Sequence, residues 1–236
     1  MISNVMSEDN LSSFCYTNEA LLNKTPVSIV LDFHGLGFCG MMDGPNELAS
    51  LCAENGSLYV FPYYGPWSWM NDLAVKYVDE IVSVILKKYS LKDPVIVSSG
   101  GSMGGLSALV YSNYAAVRPA ACTANCPVCD LPYHFTERPD LPRTIKLATA
   151  HYTCGFEQAV RSISPLHIVQ SMPDIPYFII HGTADKSVNK AMHSDRLVEA
   201  LRLAGKNVTY KEIEGMEHCA LNENFQQYAD FILSFK

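Results

Sequence analysis

The sequence has few charged residues, no excess of positive charge and no long apolar run. Charged side chains make up 17% of the 236 residues, below the usual share of about 25%. Lys and Arg together number 17 and Asp and Glu number 24, so the net charge is −7. Nucleic acid and anionic membrane surfaces would repel such a chain, and neither is expected as its partner. No apolar run approaches the roughly 18 residues of a membrane span.

A secretion signal is also lacking, because residues 1–10 contain neither a basic segment nor a long apolar one. We therefore expect a cytoplasmic protein whose eight cysteines remain free thiols. Cys122, Cys126 and Cys129 are closely spaced, yet no second pair completes a zinc site, so we interpret them as packing residues. A thiol–metal protein built on these cysteines is the alternative. We expect no metal and no organic cofactor, and the sequence predicts no oligomeric state.

Apolar residues are plentiful, at 48% of the chain, and can fill the core of a single domain over residues 1–236. Segments typical of strands and of helices alternate along the sequence. Strands are predicted at 27–33, 57–61, 94–98, 120–124 and 176–181, with an alternating sixth strand nearer the sheet edge at 207–213 and a short antiparallel edge strand at 14–16. Helices are predicted at 45–55, from 71 to about 86, and at 104–114, 189–204 and 222–235. This alternation predicts the α/β class, with a mostly parallel, doubly wound sheet covered by helices on both faces.

Residues 130–172 interrupt the alternation. Four prolines separate short helical pieces there, and no segment has the pattern of a strand. An insertion at this point would lie above the carboxyl ends of the strands, where doubly wound sheets bind their ligands. We expect a short helical lid within the single domain.

A candidate nucleophile lies directly after the third predicted strand. Gly100, Ser102 and Gly104 form a G-x-S-x-G pattern between that strand and a helix, the context in which this pattern forms a nucleophile elbow. The sharp turn needs glycines on both sides of the serine, and the helix N-terminus favours developing negative charge. A dinucleotide-binding turn is the alternative, but the chain has no G-x-G-x-x-G pattern after its first strand. Ser102 is therefore predicted to be the nucleophile.

A serine nucleophile needs a base and a carboxylate that orients the base, in the chain order Ser, acid, His for this elbow. Asp185 follows the fifth predicted strand and His218 follows the sixth, so both should emerge at the same sheet edge as Ser102. His193 also follows the acid, but it falls within a predicted helix and is expected at the surface. Three further candidates precede the acid within the lid and are expected to be solvated, with a contact to substrate as the alternative: His134, His151 and His167.

An oxyanion that forms at the substrate carbonyl needs backbone N–H donors. The residue after the nucleophile, Met103, is predicted to supply one of them. The loop after the first core strand is predicted to supply the other, from Leu36 or alternatively from Gly35. His34 ends that strand and is interpreted as a support for the loop.

Five motifs together give the chain a family resemblance. They are H-G-L-G at 34–37, G-G-S-M-G-G at 100–105, S-I-S-P-L at 162–166, H-G-T-A-D-K-S-V at 181–188 and G-M-E-H at 215–218. From about residue 27 to its end, the chain resembles the small α/β-hydrolases of the prolyl-oligopeptidase-like (S9-type) esterase family. The resemblance implies Ser102, Asp185 and His218 as the catalytic triad. True peptidases of the family carry a large N-terminal propeller, whereas only about 26 residues precede the first core strand here.

This difference favours an esterase that acts on small substrates through an acyl-enzyme on Ser102. Tyr64, Trp67 and Trp69 follow the second core strand and could stack on a sugar or aryl ester, or the tryptophans could pack the neighbouring long helix. The expected partner is a small-molecule ester. A small serine peptidase or amidase is the nearest alternative, and a non-catalytic binding protein of the same fold is a more distant one.

Overall fold

The computed structural model describes residues 5–236. The strands in this range are β1 Cys15–Thr17, β2 Ser28–Phe33, β3 Ser57–Pro62, β4 Val95–Gly100, β5 Ala121–Asn125, β6 Tyr177–Gly182 and β7 Val208–Ile213. The α-helices are α1 Glu47–Glu54, α2 Asp72–Tyr89, α3 Met103–Tyr114, α4 Leu131–Glu137, α5 Leu141–Thr149, α6 Phe156–Ser162, α7 Pro165–Ile168, α8 Ser194–Leu203 and α9 Phe225–Leu233. Short 3-10 helices lie at Glu8–Ser13, Glu19–Leu21, Val169–Ser171 and Asn222–Asn224.

The strands form one sheet in the order β1-β3-β2-β4-β5-β6-β7. Only β1 runs antiparallel to its neighbour, β3, and the other pairs of adjacent strands are parallel. The carboxyl ends of β2, β4, β5, β6 and β7 therefore meet at one edge, as the sequence predicted. The predicted edge strand at 14–16 is present, shifted by one residue.

Helices cover both faces of the sheet because the central strands are apolar on both sides. Successive residues of a strand point to opposite faces. In β2, Ile29 and Leu31 belong to an apolar cluster with α2, α3 and α8. Val30, between them, belongs to a second cluster with α1 and α9. This two-sided burial fixes the register of the central strands, since a shift by one residue would exchange the two sets.

The segment between β5 and β6 is helical and carries α4 to α7, with no strand among its described residues. It is joined to the start of α2 by four hydrogen bonds, two of them between Asp72 and the side chains of Tyr152 and His151. The Asn71 side chain, which caps α2 as predicted, donates to Ala148 O at 2.8 Å, and Trp69 Nε1 donates to Thr144 Oγ1 at 3.1 Å. These contacts hold the inserted helices against the carboxyl edge of the sheet. The role of the inserted segment as a lid stays a prediction.

The long helix α2 is amphipathic, and its buried side carries Val78, Ile81, Val82 and Ile85. No helix within residues 5–236 is both long enough and apolar enough to cross a membrane.

Candidate active site

Ser102 lies at the turn between β4 and α3, in a backbone conformation with φ 61° and ψ −123°. Residues with side chains rarely adopt a positive φ, so the surrounding structure must hold this turn in place. The Ser102 N–H donates to Asn125 O at 2.9 Å. A Cβ at Gly104 would lie 1.9 Å from Phe33 O, and a Cβ at Gly100 would lie 2.5 Å from the Gly104 backbone. The two glycines of the G-x-S-x-G pattern are therefore required sterically.

Asp185 follows β6 in a tight turn, and its side chain is completely buried. Its Oδ1 accepts hydrogen bonds from the backbone N–H groups of Ser187 and Val188, at 2.8 and 3.0 Å. Its Oδ2 lies 2.7 Å from His218 Nδ1 and 3.1 Å from His181 Nε2. Burial alone would raise the pKa of Asp185, but these hydrogen bonds hold it well below its ordinary value. The carboxylate is ionised at neutral pH.

His218 lies in the loop after β7, with Nδ1 donating to Asp185 Oδ2. Its other ring nitrogen, Nε2, lies 3.7 Å from Cys219 Sγ, and the Cys126 thiol is also near the ring. Gly182 lets this loop approach the Asp185 loop, because a Cβ at Gly182 would lie 2.0 Å from Met216 O. Burial lowers the pKa of His218, but the hydrogen bond to Asp185 more than offsets this and leaves it above its ordinary value.

Ser102 and His218 line the same cavity, which has a volume of about 500 Å³. No hydrogen bond joins their side chains within the described residues, and such a bond often tightens only in the reaction complex. The rest of the lining comes from six segments of the chain. These further lining residues are Gly35, Leu36, Trp69, Gly101, His134, Arg138, Ser187, Val188 and Cys219.

Three backbone N–H groups have no acceptor within residues 5–236: those of Gly35 and Leu36, which line this cavity, and that of Met103, which follows Ser102. Met103 is the first residue of α3, whose N-terminal amides have no partner in the helix. The buried His34 ring donates from Nδ1 to Gly35 O at 2.9 Å and stacks on Tyr64 at 4.1 Å. Donors for an oxyanion are thus available from the loop at 34–37 and from the start of α3. His34 supports that loop.

The sequence pattern of the prolyl oligopeptidase family matches residues 75–235, well over half of the chain. The chain belongs to the prolyl oligopeptidase family. It is therefore a serine hydrolase, and the predicted resemblance to this family is confirmed. No curated protein matches the chain significantly in sequence.

Many solved structures share the fold of this serine hydrolase. Esterase B from Lactobacillus rhamnosis aligns with a TM-score of 0.69 at 13% identity, over 90% of this chain and 78% of the esterase. Pyrococcus horikoshii acylaminoacyl peptidase aligns with a TM-score of 0.73 at 12% identity, over 90% of this chain and 37% of the peptidase. A puromycin-hydrolysing peptidase from Mycobacterium tuberculosis gives 0.71 at 19% identity, over 91% and 35% of the two chains. These likenesses confirm the α/β-hydrolase fold. This chain spans little more than a third of either peptidase.

The three aromatic residues predicted to contact substrate have different positions in the hydrolase. Trp69 lines the cavity but is otherwise buried, and its Nε1 is bonded to Thr144. Tyr64 is buried behind the loop at 34–37, where its hydroxyl donates to His34 O. Trp67 is partly exposed near Gly37. Only Trp69 shares a cavity with Ser102.

Two histidines that were expected at the surface are buried. Helix α8 begins at Ser194 rather than at residue 189, so His193 is its N-cap residue and is 0% exposed. Turns at 189–193 precede it, and His193 Nδ1 accepts the backbone N–H groups of Cys129 and Asp130. His134 of the inserted segment is also buried and is bonded to Glu137. The expectation of solvated rings was wrong for both. His193 is held by backbone groups that are distant in sequence, and His134 is held by Glu137 at a helical spacing that is also common on exposed surfaces.

All eight cysteines are free, and Cys122, Cys126 and Cys129 are buried, as predicted. Within residues 5–236 three groups could offer ligands to a metal ion: Cys126 with His218 and Cys219, Cys126 with His181 and Asp185, and His134 with Glu137 and His193. None includes Cys122 or Cys129. The second and third groups already contain short His–carboxylate hydrogen bonds, which satisfy the atoms concerned. An ion in the first group would lie beside His218 Nε2 and Cys219 Sγ, which are 3.7 Å apart.

Proposed function

We propose that the chain hydrolyses carboxylic esters of small molecules through an acyl-enzyme on Ser102. His218 serves as the base and then as the acid, and Asp185 orients its ring. The observation that carries this proposal is the 2.7 Å hydrogen bond from His218 Nδ1 to the buried Asp185, in a histidine that lines the same cavity as Ser102. This hydrogen bond keeps a proton on Nδ1 and leaves Nε2 free to accept the serine proton.

Hydrolysis then proceeds in two steps. His218 Nε2 takes the proton as Ser102 Oγ attacks the ester carbonyl, and it gives the proton to the departing alcohol as the acyl-enzyme forms. Water attacks the acyl-enzyme in the second step, again with His218 as base, and the acid leaves. The free N–H groups of Met103 and of Leu36 or Gly35 support stabilisation of the oxyanion in both steps.

Peptide or amide hydrolysis by the same residues is the second candidate. Two of the fold relatives described above are named as peptidases, and the chemistry needs the same nucleophile and base. The two candidates differ in the leaving group, because an amine must be protonated before it departs whereas an alkoxide leaves more easily. A direct comparison of esters with a peptide amide distinguishes them.

The nucleophile is tested by covalent labelling. A fluorophosphonate probe should attach once per chain at Ser102, and Ser102→Ala should abolish the labelling that intact-mass spectrometry detects. Ser50→Ala on α1 is the matched control and should label like the parent. Labelling that persists in Ser102→Ala would place the nucleophile elsewhere.

The substrate class is tested by a panel of acetyl, butyryl, octanoyl and feruloyl esters assayed beside a peptide amide. The esters should be hydrolysed in preference to the amide.

The base is tested by the pH profile. Protonated His218 cannot accept the serine proton, so kcat/KM for a simple acetyl ester should rise with pH through one ionisation and then level off. Because Asp185 raises the pKa of His218, the midpoint should lie above the ordinary value of about 6.5. Asp185→Asn should lower both the plateau and the midpoint. A midpoint that stays in place in Asp185→Asn would contradict the assignment of this pair.

A further inference from the structure

Two buried histidines and a partly buried glutamate form a hydrogen-bonded group beside the cavity that holds Ser102. His134 and Glu137 lie on α4, in the inserted segment, and His193 caps α8. Glu137 Oε2 lies 2.5 Å from His134 Nδ1 and 2.8 Å from His193 Nε2. The proposed reaction uses none of these residues, although His134 lines the cavity.

The position of the protons follows from the partners of His193. Its Nδ1 accepts the backbone N–H groups of Cys129 and Asp130, at 3.0 and 3.1 Å, so this nitrogen carries no proton. The proton is therefore on Nε2, and Nε2 donates to Glu137. His193 is neutral and fixed as a donor.

Glu137 is ionised and accepts from both rings. Burial tends to raise its pKa, but the hydrogen bonds from His134 and His193 lower it to about 2. Its other oxygen, Oε1, accepts the backbone N–H of Asn189 at 3.2 Å. A carboxylate cannot donate, so His134 must carry its proton on Nδ1, and its Nε2 keeps a lone pair when the ring is neutral.

No residue within 5–236 is hydrogen-bonded to that nitrogen. The His134 side chain is only 3% exposed, but Nε2 is not one of the fully buried unpaired atoms of this range, which are Tyr89 Oη, Asn113 Oδ1 and Asn125 Oδ1, so water in the cavity can reach it. The ring packs edge-on against Trp69, with 5.5 Å between the ring centres, and both residues line the cavity. Burial lowers the pKa of His134 and favours the neutral ring. A ligand that fills the cavity displaces water from this acceptor, so a ligand that brings its own donor is favoured over one that does not.

We propose that His134 Nε2 accepts a hydrogen bond from an O–H or N–H group of the substrate, so that the enzyme selects esters that carry a hydroxyl or acylamino group. Glu137 and His193 are positioning residues, which fix the tautomer and the orientation of His134. This inference rests on the proposed function in one respect, because it takes Ser102 as the point of attack.

The first experiment compares matched esters that carry hydrogen, hydroxyl or methoxy at one position, with the position varied along the acyl and alcohol parts. Methoxy keeps the oxygen but cannot donate. A parallel series compares acetylamino with N-methylacetylamino groups and distinguishes an N–H donor from an O–H donor. In at least one series, kcat/KM should be about tenfold higher for the donor than for both analogues. Equal rates throughout both series would overturn the inference.

The second experiment tests His134 itself. His134→Phe keeps a ring but removes the acceptor, so the donor preference should fall to about one. His134→Gln supplies an amide oxygen at similar reach and should restore part of the preference. Glu137→Gln should weaken the preference because the tautomer of His134 is no longer fixed. His151→Phe is the matched control, since His151 lies in the same inserted segment, outside this cavity, and pairs with Asp72. Thermal unfolding of each variant shows whether it is folded.

Labelling rates separate this inference from the proposed function. Phosphonate probes with and without the favoured donor should label Ser102 at rates that differ about tenfold in the parent and little in His134→Phe. Ester turnover without any donor preference would overturn the inference and leave the proposed function. A donor preference in labelling without any ester turnover would overturn the proposed function and leave the inference. A His134→Phe variant that is folded and keeps the full preference would also overturn the inference.

Discussion

Replacing His218 with alanine should lower kcat/KM for a simple acetyl ester by about four orders of magnitude. Without the imidazole, the Ser102 hydroxyl has no group at hand to accept its proton, and members of a triad act as a unit. The rate should be measured beside Ser102→Ala, which should fall by a similar factor, and the double variant should lose little more than either single one.

The control for this experiment is His151→Ala, because His151 is a half-exposed histidine whose partner is the surface residue Asp72. Its activity should stay within a few-fold of the parent. A His218→Ala variant that retains a substantial fraction of the parent activity would show that another group is the base. His193→Ala is a poor control, because that ring is buried and holds the backbone at Cys129 and Asp130.

Replacing Gly104 with alanine should prevent stable folding or lower the free energy of unfolding by about 4 kcal/mol or more. The new methyl group would lie 1.9 Å from Phe33 O and 2.9 Å from His34 O, and neither backbone oxygen can move away cheaply. The start of α3 would have to separate from the end of β2. Chemical denaturation monitored by circular dichroism measures the loss.

Gly44→Ala is the matched control for stability. Gly44 lies in the loop before α1, and a Cβ there would have no atom within 4 Å. Its free energy of unfolding should change by less than about 0.5 kcal/mol. If Gly104→Ala were as stable as Gly44→Ala, α3 would not approach β2 as closely as described. The steric requirement for glycine at this elbow would then be contradicted.

The elbow and the sheet could be predicted because their signals are local. An apolar β-branched strand, a Gly-x-Ser-x-Gly turn and a helix follow one another directly in the sequence, so Ser102 could be placed from about a dozen residues. The positions of Asp185 and His218 followed from one further rule, that parallel strands bring their carboxyl ends to the same edge. Both residues lie in loops after strands, where sequence patterns of this fold are most informative.

The network around His134 could not be predicted because its partners come from distant segments. Glu137 is three residues away on the same helix, but His193 arrives from another helix and is held by backbone groups at 129 and 130. A helix pattern over 189–204 gave no sign that its first turn was missing and that His193 pointed inward. The i, i+3 spacing of His134 and Glu137 was the one available signal, and such pairs are also common on helix surfaces.

The aromatic segment at 63–70 shows a different limit. Tyr64 and Trp69 occupy adjacent regions, and both bury an apolar ring and bond their polar atom. An aromatic residue with one polar atom suits both packing and substrate contact, so residue type alone does not distinguish the two roles. Only the three-dimensional position separates Trp69, whose ring reaches the cavity, from Tyr64, whose hydroxyl supports the loop at 34–37.

Asp185 is shared between His181 and His218, so its buried charge does not depend on His218 alone for a partner. If His218 is lost, Asp185 still accepts from His181 and from the backbone N–H groups of Ser187 and Val188, so no buried charge is left without a partner. The cavity would keep nearly all of its walls and its hydrogen-bonding groups. Loss of the His218 ring would therefore remove a proton acceptor from the cavity without leaving the buried carboxylate unpaired.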